Sequence, residues 1–172
     1  MPHAIRLNRF RTEHGATMLE ATFCILFVLF CIGAVIDLGL GLWQYNFLNY
    51  TTTRAAREIS ARLATNSSDC GTLENSVIRP YLLNTAKREM VTAMASGAAA
   101  QWRWCMVGVG QDACLGAGQK PAYKSLRMVG SLPLNCYFLC SIVPVNWTVT
   151  TTVTSAIDNL QAPTCTEGGP YP

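Results

Sequence analysis

Eight cysteines, two histidines and two acids in an apolar setting are the residues whose chemistry most constrains this 172-residue chain. Cys70, Cys105, Cys114, Cys136, Cys140 and Cys165 lie in a stretch of roughly a hundred residues, a density typical of small domains folded in an oxidising compartment. They are read as candidate disulfide cysteines, and their spacing leaves the pairing open. Cys136 and Cys140, spaced C-x3-C, could also serve as zinc ligands, but disulfides are the better reading in an oxidising compartment, and no metal is expected. Cys24 and Cys31 sit inside an apolar run, where a thiol behaves as a small hydrophobe.

His3 and His14 are the only histidines, and everything beyond Gly15 lacks one. That removes Ser–His–Asp and Cys–His catalysis, and every histidine-containing metal site, from the main body of the chain. No carboxylate pair or lysine base clusters in a way that suggests another mechanism. The glycines of "GVGQDACLGAGQ" lack the Lys-Ser/Thr and helix start of a phosphate loop and read as a hairpin loop pinned through Cys114. The chain is therefore expected not to be an enzyme and to need no cofactor. Its net charge of +3 includes no clustered basic footprint, so nucleic acid is not an expected partner. Asn66-Ser67-Ser68 and Asn146-Trp147-Thr148 match glycosylation sequons.

The acids that matter are Glu20 and Asp37, which flank a run with no charge from Ala21 to Ile36. As a helix, residues 21–43 reach roughly 34 Å, enough for a ~30 Å hydrocarbon core. Trp43 and Tyr45 follow where an interfacial aromatic belt belongs. A cleaved secretory signal is the competing reading, but Cys31-Ile32-Gly33 makes a poor cleavage site. Arg6, Arg9 and Arg11 before the span and Arg54, Arg57 and Arg62 after it leave the charge rule for orientation nearly tied. The six cysteines break the tie, placing the body on the oxidising side and the N-terminus in the cytoplasm. Glu20 and Asp37 lie roughly 25 Å apart along a helix, one near each membrane face. Each could simply reach toward headgroups, or meet a positive partner in an assembly.

In "HGATMLE" a glycine is followed, after four residues, by a glutamate at the head of the apolar run and behind a basic leader. This resembles the processing site of type IV prepilins. The longer stretch "GATMLEATFCILFVLFCIGAVIDLGLGLWQYNFLNYTTTRAAREISARLAT" resembles the TadE-type pseudopilins of the tight-adherence (Flp) pilus system, with Asp37-Leu38-Gly39 and Ala55-Ala56-Arg57 at matching places. The resemblance covers about fifty residues, from Arg11 to Ala64. It implies cleavage between Gly15 and Ala16 by a prepilin peptidase, and assembly roles for Glu20 and Asp37. It also implies other pilins, pseudopilins and inner-membrane pilus assembly proteins as partners beside the lipid bilayer. A small residue at position 15 would let the peptidase approach the backbone. The freed amine of Ala16 would then be available to the Glu20 of a neighbouring subunit.

Beyond the membrane the same helix is expected to run to about residue 64. Phe47, Thr51, Ala55, Ile59 and Leu63 recur every four residues, with Leu48 and Ala56 beside them. Arg54 and Glu58 would form an i,i+4 pair on another face. "TNSSDCG", 65–71, reads as a hinge. A second helix over 73–96 should be interrupted at Pro80, with Lys87, Arg88 and Glu89 exposed. Strands are expected around Trp102, Trp104 and Met106, over 122–130, over 134–143 and over 145–153, the last with Val145, Trp147, Val149, Thr151 and Val153 on one face. The tail "APTCTEGGPYP" reads as irregular.

The expected fold is thus α+β: a basic leader (1–15), a long pilin-like helix (16–64) with its span at 21–43, and a disulfide-bearing periplasmic head of helix and antiparallel sheet (72–172). The expected function is that of a minor pilin or pseudopilin, a structural or priming subunit of a Tad-type pilus or related secretion system. The alternative is an unprocessed single-pass anchor whose extracytoplasmic domain binds a partner. The expected location is the bacterial inner membrane, with incorporation into an extracellular pilus a further option.

Overall fold

The computed structural model describes residues 9–65, 70–94, 97, 99–108, 113–115, 124–134, 138, 147–157 and 168–171. The chain forms two compact units. One comprises Met1–Leu40 with Cys136–Pro144, the other Gly41–Asn135 with Val145–Pro172.

Helix α1 runs from Arg9 to Thr65, 57 residues without a proline. It begins inside the segment expected as a leader, since nothing between Arg9 and Gly15 interrupts helical backbone. In the first unit most of its described apolar side chains point outward. Met18, Phe23, Leu26, Phe27, Val28 and Val35 are all exposed, Phe27 by 68%. A helix this apolar, with most of its surface uncovered by protein, is suited to lipid, and α1 is long and apolar enough to cross a membrane as a single-pass anchor.

In the second unit the same helix turns amphipathic. Leu48, Thr51, Thr52, Ala55, Ala56, Ile59, Ser60 and Leu63 are buried, the three-and-four spacing of one helix face. Arg54, Arg57 and Arg62 are exposed. The ion pairs differ from expectation. Glu58 pairs with Arg62 at 2.9 Å, and Arg54 reaches Glu89 at 2.7 Å. Glu58 has an arginine four residues to either side, and the order with glutamate first is the more favourable along a helix.

Helical backbone resumes at Cys70, so the expected hinge includes the start of the next helix; residues 66–69 lie outside the described residues. α2 (Cys70–Leu73), a π-helical stretch (Glu74–Ile78), α3 (Arg79–Tyr81), a second π stretch (Leu82–Ala86) and α4 (Lys87–Ala93) follow one another directly. Pro80 does not interrupt the helix as expected. The widened turn before it, closed by the Arg79 N–H on the Glu74 carbonyl, takes up the ring and the missing donor. Leu73, Val77, Ile78, Leu82, Ala86 and Met90 are buried along this run.

Among the described residues the sheet has four strands: β1 (Gln101–Gly108), β2 (Lys124–Pro133), β3 (Thr148–Ile157) and β4 (Gly168–Tyr171). Their order is β3-β2-β1-β4, with every pairing antiparallel. Trp102, Trp104 and Met106 of β1 join Leu126, Met128 and Leu132 of β2 in a core covered by the amphipathic part of α1 and by the helical run 70–93. The α1 segment is also tied to β3, where Thr151 Oγ1 donates to Asn49 Oδ1 and Ser60 shares a hydrogen bond with Ser155, each at 2.9 Å.

Three expectations for the sheet need correction. Trp147 precedes β3 rather than lying on its inner face, and is 58% exposed. The inward positions of β3 are Val149, Thr151, Val153, Ser155 and Ile157; Val145 lies outside the described residues. Leu134 and Phe138, the described positions of the strand expected over 134–143, are not in a strand. The tail supplies β4, which pairs with β1 through Trp102–Tyr171 and Trp104–Gly168. Pro170 is tolerated there because β4 is an edge strand.

Candidate functional site

The residues singled out from the sequence lie at both ends of the apolar part of α1. Gly15 and Ala16 fall in helical backbone. Glu20, one turn further on, is exposed at the head of the apolar run. Its carboxylate makes no hydrogen bond or ion pair with a described residue, so none of these offsets the cost of placing it beside lipid. That cost is about 2.5–3.5 kcal/mol at a bilayer centre and less toward the interface.

Asp37 is in the opposite situation. Only 6% of its surface is exposed, and its Oδ2 accepts the backbone N–H of Phe138 at 2.9 Å. The Phe138 ring lies against the same face of α1. A Cβ added to Gly33 would stand 2.7 Å from Phe138 Cδ1. The Phe30 and Phe138 rings meet edge to face with centroids 5.7 Å apart. Phe30, Gly33 and Asp37 are spaced so that they share one helix face, and together they form a seat with an aromatic wall, a floor without a side chain, and a carboxylate at one end. The sequence marks Asp37 but gives no sign of its partner. Phe138 and Gly33 were missed, because their roles exist only once a segment 101 residues away is brought alongside.

Of the six candidate cysteines, Cys105 and Cys114 form a disulfide, with a Cα–Cα distance of 5.7 Å. Val107 pairs with Cys114, and the Leu115 N–H donates to the Met106 carbonyl at 2.7 Å, so this segment is pinned to β1 through Cys114, while 109–112 and 116–120 of the expected hairpin loop lie outside the described residues. Cys70 begins α2, while Cys136, Cys140 and Cys165 lie outside the described residues. Cys24 and Cys31 are free and exposed. Among the described residues no group of three or more His, Cys, Asp or Glu side chains could hold a metal ion.

In the head, Tyr171 of β4 donates its hydroxyl to the Glu74 carboxylate. Burial, and secondarily that hydrogen bond, hold its phenol above its ordinary pKa of 10.0. Burial likewise raises Tyr81. Both groups belong to the packing of the head. Comparison of the chain with known protein families, with curated proteins and with solved structures gives no match.

Proposed function

We propose that the chain is a minor pilin or pseudopilin of the TadE type: a structural or priming subunit of a tight-adherence pilus or related secretion system, and a substrate of a prepilin peptidase rather than an enzyme. The observation that carries this reading is Glu20, an exposed carboxylate on the apolar part of α1 with no partner among the described residues, at the fifth position after Gly15. Cleavage between Gly15 and Ala16 would free an amine four residues before that acid. Inside a bundle of such helices, the amine of one subunit and the Glu20 carboxylate of a neighbour would each offset the desolvation of the other. Cleavage would thus supply the partner that makes Glu20 tolerable in lipid. In this reading the N-terminus is cytoplasmic, the head is periplasmic, and the neighbours are other pilins and inner-membrane assembly proteins.

The test is co-purification of the chain with the assembly components after detergent extraction, comparing wild type with Glu20→Ala and Glu20→Gln. Loss of co-purification in both variants, with membrane insertion retained, is the expected result. An undiminished yield with Glu20→Ala would remove the basis for the proposal.

A further inference from the structure

The seat for Phe138 lies on a part of α1 that is surrounded by lipid if α1 is a membrane anchor. Gly33 is four residues and Phe30 seven residues to the N-terminal side of Asp37, about 6 and 10 Å along the helix. If Asp37 marks the outer limit of the hydrocarbon, Phe138 sits below that limit. If the limit is at Trp43, Phe138 sits deeper still. The side chains around the seat, Leu29, Ile32, Val35 and Ile36, are exposed and apolar. The sequence from Met128 to Ile157, which contains Phe138, carries no charge.

Backbone that is not helical cannot lie in hydrocarbon with its N–H unsatisfied, because no water is there to accept it. The Phe138 N–H, in a bend rather than a helix, is satisfied by Asp37. The requirement also runs the other way, since a carboxylate at that depth needs donors. In water neither group would need the other.

We propose that Phe138 is a second membrane anchor, a point where the extracytoplasmic part of the chain dips into the outer leaflet. Its ring is held by Phe30 and Gly33, its backbone is clasped by Asp37, and the acyl chains of the lipid are its partner. Asp37 is then a positioning residue within one chain, serving the fold of the anchor and not the joining of subunits. This inference requires α1 to lie in a membrane but does not depend on the pilin reading. N-terminal processing and Glu20 play no part in it.

The test incorporates the photo-reactive p-benzoylphenylalanine at position 138 of the full chain, reconstituted in phosphatidylethanolamine–phosphatidylglycerol vesicles. After irradiation, mass spectrometry identifies the adducts. Both phospholipid adducts and cross-links to the α1 peptide around Phe30–Asp37 are expected, the lipid adducts within about twofold of those from the same probe at Phe27. Adding Asp37→Leu should lower the α1 cross-links at least severalfold while the chain still resists alkaline extraction. Asp37→Asn, which keeps an acceptor oxygen, should retain most of them. Gly33→Leu, which fills the floor of the seat, should abolish them. A probe at 138 that yields no lipid adduct while the probe at 27 does would overturn the proposal, as would cross-linking to α1 that is indifferent to Asp37→Leu.

Discussion

Thr52 of α1 and Gly130 of β2 face each other so closely that a Cβ on Gly130 would stand 2.5 Å from Thr52 Oγ1. This is where the amphipathic part of α1 rests on the sheet, and only glycine allows the approach. The Thr52 hydroxyl is buried there without a hydrogen-bond partner among the described residues, whereas the neighbouring Thr51 hydroxyl reaches the Phe47 and Leu48 carbonyls at 3.0 Å each. A buried hydroxyl left unsatisfied costs about 1–3 kcal/mol.

Two opposite effects are expected at this contact. Thr52→Val keeps the shape and removes the orphan hydroxyl, and should leave stability unchanged or raise it by about 1 kcal/mol. Gly130→Ala should cost about 1–3 kcal/mol through overpacking. Combining Gly130→Ala with Thr52→Ala should recover part of that loss, since the two side chains compete for one space. Denaturant midpoints of wild type, Thr52→Val, Thr52→Ala, Gly130→Ala and the double variant check this. Strict additivity would mean that the contact is not the source of the cost.

The docking of β4 should show in alkaline stability. A phenol whose folded pKa lies above its unfolded value adds stability that is fully present below the unfolded value and is lost as pH rises through the folded one. With Tyr171 raised from 10.0, the head should keep its stability up to about pH 10 and lose it above. Tyr171→Phe should flatten this alkaline fall, leaving only the part due to Tyr81. Melting temperatures between pH 8 and pH 11 measure the difference, and identical profiles for wild type and Tyr171→Phe would contradict it.

The Cys105–Cys114 bridge joins residues nine apart in sequence. Closing so short a loop restricts the unfolded chain by about 2–3 kcal/mol. The double replacement Cys105→Ala, Cys114→Ala should lower the unfolding free energy by that amount and loosen the 113–115 segment from β1, visible as faster amide exchange at Leu115. Protection at Leu115 equal to wild type would show that the bridge does not hold the segment.

What could be read from the sequence follows from how local each signal is. The long helix and its buried face were legible because Leu48, Thr51, Ala55, Ile59 and Leu63 repeat at a helical period. Trp102, Trp104 and Met106 of β1 and Val149, Thr151 and Val153 of β3 were legible from their residue types and spacing, whereas Ser155 and Ile157 lie beyond the expected strand. The tail strand was not, since "GGPY" has poor strand propensity and becomes a strand by pairing with Trp102 and Trp104. The passage of the helix through Pro80 was hidden because a π-widened turn depends on how the flanking turns pack. At the candidate site the sequence exposed both acids through the rarity of charge in an apolar run. It was silent about Asp37's partner, because a backbone N–H donor can come from any residue, and Phe138 is set beside Asp37 only by the fold.

Whether the apolar helix opens with a processing signal that leaves Glu20 in the fifth position is decided by the intact mass and N-terminal peptide of the chain purified from membranes of a host carrying a prepilin peptidase. A mature chain beginning at Ala16, and its disappearance in a peptidase-deficient host, is the predicted result. A chain still beginning at Met1 where the peptidase is active would contradict it.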